Sequence, residues 1–224
     1  MFLLFFITFI LVACTKGNSE PSRVIYDQSF HGITITNEED EFEYNFLDAI
    51  SFSMEKETID FESCEGVGEF DASKLLDFDF YRFRLFFATC MALDWYESSD
   101  KSNRSSFSDP ITISQVSSFP ANVLPFLSES EHAERQGLSI SEYGSSKELS
   151  EPVQNRFKLL LEDSEYFVTL LARADFDRDG VEDVLLRSEW YSQNSFGKHV
   201  DLVILSKSNE QSKAYILKRL NSMD

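Results

Sequence analysis

From Tyr166 onward the hydrophobic pattern switches to period two, and that switch constrains the fold more than any other feature of the chain. Four runs, YFVTLLARA, DVLLRSEWYS, HVDLVILS and KAYILK, have the alternation and the β-branched and aromatic content of strands. They are separated by an aspartate-rich stretch, by QNSFGK and by SNEQS, which is the spacing of an antiparallel meander. No second copy of any segment is visible, so neither a propeller nor a solenoid is expected.

The rest of the chain supplies helices. In YRFRLFFATCMALDWYES, Phe83, Phe86, Phe87, Cys90, Met91 and Leu93 recur at three- and four-residue spacing up to Trp95. That spacing predicts one long, largely buried helix, with Asp71 upstream as a capping residue. SSDKSNRSSFSD ends before Pro110 and reads as a surface loop. Between residues 111 and 152, Pro120, Pro125, Gly137 and Gly144 break the apolar pieces into loops and short helices, and VQNRFKLLLED is expected to be helical with Phe157, Leu160 and Leu161 inward. Upstream, Val24, Tyr26, Ile33 and Ile35 alternate about a turn at Gly32 and read as strand. Phe42, Phe46, Ala49 and Ile50 fit one helical face behind an acidic first turn, although the later part is equally compatible with extended chain. The expected fold is therefore α+β, an antiparallel β-meander in the C-terminal half packed with one long and a few short helices. It forms a single domain over residues 23–220, with the meander and its aspartate loop at 164–218.

The stretch ADFDRDGVED places four carboxylates, Asp175, Asp177, Asp179 and Asp183, around Gly180. Like charges so close are unfavourable unless a cation sits among them, and calcium takes six to eight oxygens from this kind of loop. Counting from Asp175, side chains at positions 1, 3, 5 and 9 are acidic, Gly180 at 6 allows a sharp turn, and Val181 at 7 offers its carbonyl. Leu186 stands at position 12, where an EF-hand wants glutamate, and the flanks read as strands, so a helix-loop-helix EF-hand is not the expected reading. Between two strands, D-x-D-x-D-G-x-x-D resembles the calcium loop of FG-GAP and VCBS repeats. The resemblance spans about residues 172–206 and implies calcium ligation by Asp175, Asp177, Asp179 and Asp183 with the Val181 carbonyl. A polar turn without metal, partly neutralised by Arg178, is the alternative.

MFLLFFITFILVAC opens the chain with an apolar run too short to span a bilayer as a helix, which needs about 20 residues. It fits the hydrophobic region of a secretory signal. Leu11, Val12, Ala13 and Cys14 resemble the lipobox of bacterial lipoproteins. The resemblance implies a signal peptide at 1–13, lipidation of Cys14, a flexible tether at 14–22 and, because Thr15 rather than aspartate follows the cysteine, a place at the outer membrane facing the periplasm. A plain signal peptide cut nearby is the alternative. With Cys14 lipidated, Cys64 and Cys90 remain, and an even pair in an oxidising compartment is naturally a disulfide. Two buried thiols that never meet remain open as the other reading.

With 20 basic and 39 acidic residues the formal charge is −19. Such a field disfavours nucleic acid and attracts cations and basic proteins. His31, His132 and His199 lack zinc spacing, and there is neither a G-x-S-x-G elbow nor a phosphate-binding glycine loop. The expectation is a non-catalytic, lipid-anchored periplasmic protein that binds another protein, such as an immunity protein against a basic toxin. The alternatives are a calcium-dependent hydrolase of cell-envelope polymer and a structural envelope lipoprotein.

Overall fold

A computed structural model describes residues 22–38, 41–143, 148–161 and 163–220. The proposed signal peptide and Cys14 lie outside the described residues. Among the described residues no helix is long and apolar enough to cross a membrane.

The fold is α+β. Its centre is a sheet whose six long-range strands follow one another in sequence order: β6 (Leu149–Val153), β7 (Arg156–Leu161), β8 (Ser164–Ala174), β9 (Asp183–Ser192), β10 (Lys198–Ser206) and β11 (Tyr215–Arg219), all antiparallel. The short strand β1 (Val24–Ile25) adds to β8 beyond the end of β7, pairing with Arg173 and Ala172. The four predicted runs are thus β8 to β11. Their near-continuous apolar character has a simple cause: the central strands are covered on both faces.

One face carries Val168, Leu170, Leu186, Val203 and Leu205 and is packed by the segment that runs from Phe107 to Ile140. That segment holds the short helices α2 (Ile113–Ser117), α3 (Glu129–Arg135) and α4 (Ile140–Tyr143). Arg135, wholly buried, ties it down by donating to the carbonyls of Leu124 (2.9 Å) and Pro125 (2.7 Å) and to the Tyr166 hydroxyl (3.1 Å) on β8. The opposite face carries Leu171, Ala172, Leu185, Leu202 and Ile204 against Ala88, Ala92, Leu93 and Tyr96 of the long helix α1 (Asp77–Glu97). A bulge between Leu170 and Ala172 lets the neighbours Leu171 and Ala172 face the same core, where plain alternation would put them on opposite sides.

Two small hairpins, β2–β3 (Ile33–Glu38, Glu41–Phe46) and β4–β5 (Ile50–Ser53, Thr58–Phe61), lie on the outer side of α1. Phe52, Phe61, Val67, Phe83, Phe86 and Cys90 form a third, aromatic core there. Sandwiched between sheet and hairpins, α1 is apolar nearly all round, as a doubly covered helix must be. Asp79, at its start, is buried yet held below the ordinary carboxylate range: burial pushes it up, but the Ser53 N–H at 2.7 Å and the Arg82 guanidinium at 2.6 Å outweigh that. Cys64 and Cys90 form a disulfide, Sγ–Sγ 2.09 Å, between the end of the second hairpin and α1.

Two expectations are corrected. Residues 153–161 are not helical: they turn at Asn155, whose φ of 62° is left-handed, and belong to the β6–β7 hairpin. Phe157 and Leu159 alternate inward and Leu161, half-buried, packs against the same core, while Leu160 lies on the opposite face because each residue along a strand changes face. Phe42 and Phe46 lie on strand β3 and Ile50 on β4, so these residues are extended and not on one helical face; Phe42, Tyr44 and Phe46 share the inner face opposite exposed Glu41, Glu43 and Asn45. Asp71 caps a 3-10 turn (Ala72–Lys74) before α1, accepting from the Ser73 N–H at 3.1 Å.

The disulfide closes a loop with a sequence separation of 26. By loop-closure entropy its removal in a Cys64→Ser/Cys90→Ser variant is expected to lower the unfolding free energy by about 3.5 kcal/mol. Urea denaturation checks this, and reduction of the wild type should reproduce the loss.

Candidate metal site

The candidate site is the loop of residues 175–182 that joins β8 to β9, the two strands with the longest shared register in the sheet. Its backbone folds on its own carboxylates. Asp175 accepts the N–H of Asp179 at 3.1 Å and of Gly180 at 2.7 Å. Asp177 accepts the same Asp179 N–H at 3.2 Å, and Asp179 accepts the N–H of Val181 at 2.7 Å. Short side chains with an acceptor oxygen, here aspartates, suit this loop because they reach backbone donors two to five residues on. The reversals are made at Arg178 and Gly180, with φ of 66° and 82°. At Gly180 the dihedral is what demands glycine, since an added Cβ would meet only Asn103 Nδ2, at an ordinary 3.5 Å.

These turns bring three of the four predicted carboxylates together. One oxygen each from Asp175, Asp177 and Asp183 lies within 4.8 Å of the others. Asp175 and Asp183 are buried and Asp177 is exposed, so the group opens to solvent on one side only. Asp179 stands outside that convergence, occupied with Val181, whose own residue is buried.

Asp183 is the decisive member. It has no exposed surface; its Oδ2 accepts the Phe176 N–H at 3.0 Å, while Oδ1 is buried without a hydrogen-bond partner. Burial pushes its pKa up to about 7, with Asp177 and Asp179 adding to the rise and the Ser206 hydroxyl and Phe176 N–H opposing it. Asp177, although it reaches solvent, is also held above the ordinary range, by partial desolvation and by Asp179 and Asp175. A buried carboxylate oxygen with nothing to bind costs about 1–3 kcal/mol. A divalent cation among Asp175, Asp177 and Asp183 would remove that penalty and the mutual repulsion at once, and the donor set, all oxygen, suits a hard cation.

Sequence reasoning missed what holds the loop in place. Residues 98–105 form a strap across it. Asp100 and Asp175 exchange both backbone hydrogen bonds at 2.9 Å, Asn103 N–H donates to the Gly180 carbonyl at 3.0 Å, and Glu182 N–H donates to the Arg104 carbonyl at 2.8 Å. Arg178, expected to neutralise the loop, pairs with Asp100 on the strap at 3.4 Å and donates to the Ser98 carbonyl at 3.3 Å. Beside Asp183, the fully engaged Glu182 is neutralised by buried Arg173, at 2.5 and 2.9 Å, and receives the Ser105 hydroxyl at 2.6 Å. No local motif announces a strap some 75 positions upstream in the chain. The histidines are dispersed: His31 lies in the turn before β2, His132 stacks on Phe126 at 4.6 Å between centroids, and His199 lies 3.4 Å from Asp201.

In metal-free protein, a folded-state pKa above the unfolded value near 4 means that ionised Asp183 destabilises the fold. Wild-type stability relative to Asp183→Asn is therefore expected to be greatest near pH 4 and to fall as pH rises to about 7. Urea titrations of both proteins in a chelator measure it; parallel curves across that window would remove Asp183 as the cause. The loop cannot be read by likeness to known proteins, because no family model, no curated protein and no solved structure matches this chain.

Proposed function

We infer that the chain is a non-catalytic binding protein, lipid-anchored through Cys14 and facing the periplasm, whose C-terminal sheet is stapled by calcium. The observation that carries the calcium reading is the unpartnered, fully buried Oδ1 of Asp183 beside the carboxylates of Asp175 and Asp177. Asp179 and the Val181 carbonyl would complete the shell as the loop tightens on the ion, and water would fill what remains. The ion's task is structural: it joins β8 to β9 at the one connection where the protein's own charges oppose closure. The Cys64–Cys90 disulfide supports an oxidising compartment, and the proposed lipobox supports the same address.

The partner is read from charge. Residues 38–77 hold 14 acidic side chains and two lysines, so this short stretch accounts for −12 of the formal −19. Among the described residues of the hairpins, these acids are exposed. A surface so one-sided steers and orients a basic protein, and neutralising a basic toxin is the role it fits best.

Calcium is expected to raise the melting temperature, and the stabilisation reaches about 2.7 kcal/mol at a hundredfold excess over Kd. Scanning calorimetry of the wild type and of Asp177→Ala checks this: the variant should lose the response, and an equal response in both would refute the site. For the partner, the calcium-loaded full-length protein should capture a basic protein from envelope extract, with an association rate that drops steeply as salt is added. Recovery of only acidic or neutral proteins, or a rate indifferent to salt, would sink the binding reading.

A further inference from the structure

We propose that the groove between α1 and the loop of residues 64–68, with Tyr44 of β3 at one end, is the seat for an arginine or lysine side chain on a basic partner segment. The proposal rests on the binding-protein reading and locates its contact. The groove has a volume of about 430 Å³. Its apolar floor is made by Tyr44, Phe87 and Met91 and by the Cys64–Cys90 disulfide. Its rim carries Glu65, Asp94 and Glu97, all exposed, and no basic residue lines it.

The chemistry selects the occupant. An aromatic ring and three carboxylates, with Arg23 at the Glu97 carbonyl and Arg84 over Phe87 outside the lining, form an environment that a guanidinium or ammonium prefers: the ring face and the carboxylates attract the charge, while the thioether packs along its methylene stem. Asp94 and Glu97 lie in the last turn of α1, which has no basic residue of its own, while Arg23 is engaged with the Tyr96 and Glu97 carbonyls at the helix end. The negative potential of the two acids reaches the ring, since the Tyr44 hydroxyl is raised above its ordinary range first by burial and then by Glu97 and Asp94. A second groove, of about 670 Å³ around Met54 and Phe78, is less selective, because Lys56 and Lys74 line it together with its acids.

The four methionines make the proposal testable in one spectrum, since Met91 lies in the proposed seat and Met54 in the other groove. The calcium-loaded protein, with methionine methyls labelled with carbon-13, is titrated with a synthetic peptide of alternating arginine and leucine, and with its glutamate–leucine counterpart. The expected result is a saturable shift of the Met91 methyl with the arginine peptide alone, without a matching shift at Met54. In Asp94→Asn/Glu97→Gln the affinity should fall about tenfold, the worth of two exposed charge contacts. Both substitutions are on the surface, and an unchanged melting temperature will show that the variant is folded. A still Met91 resonance, shifts of Met54 and Met91 together without saturation, or an unchanged affinity in the variant would overturn the proposal. The two readings fail differently. If envelope capture yields a basic partner that the double variant binds equally well, the seat is wrong and the function stands; if capture fails while Met91 responds as described, the seat stands without that function.

Discussion

A carboxylate withdrawn from water with one oxygen unsatisfied is the point on which the C-terminal half of this molecule balances. Asp183 cannot move away from the problem, because it begins β9 and is locked into the ladder opposite Ala174. Asp175, at the other end of the loop, is held just as firmly by its paired backbone bonds to Asp100. The two buried acids are therefore fixed by strands and strap, while Asp177 is on the exposed side of the loop. If the proposed cation binds there, two of its three carboxylates are already in place and little chain is left to order.

The neighbouring charges show how the same fold treats acids that need no ion. Glu182 is buried beside Asp183 but has Arg173, Ser105 and Ser22 as partners, and Glu189 is buried on the same sheet with Arg187, Tyr81 and Tyr191 around it. Glu189 is held below its ordinary range, since those partners outweigh the burial that pushes it up. Against that background the open oxygen of Asp183 sets it apart from the other buried acids described on this sheet.

What could be read in advance follows from where the information lies. The runs β8 to β10 were visible because a strand covered on both faces must be apolar along its length, and α1 because its aromatic spacing is helical on both of its covered sides. The β6–β7 hairpin was hidden by three successive leucines, Leu159 to Leu161, which satisfy a helical and an extended pattern alike; the decisive residue was Asn155, able to adopt a positive φ. In β3 the alternation of Phe42, Tyr44 and Phe46 was present, but Phe42 and Phe46 four apart, behind a run of acids, imitate the first turns of a helix. The aspartate loop was plain in its residue types, whereas the convergence of three carboxylates, the exclusion of Asp179 and the strap from residues 98–105 depend on contacts that only the assembled fold creates.

The first described residues join the body at a revealing place. Ser22 exchanges backbone hydrogen bonds with Ser102 at 3.0 and 2.9 Å, Arg23 grips the last carbonyls of α1, and β1 then runs along β8. A tug on the chain ahead of Ser22 is thus shared among strap, helix end and central sheet. Ser102 belongs to the same strap that braces the aspartate loop. Tension from the proposed tether would be carried across the corner where Asp175, Asp177 and Asp183 converge, and a cation held there, as proposed, would make that corner mechanically stiffer.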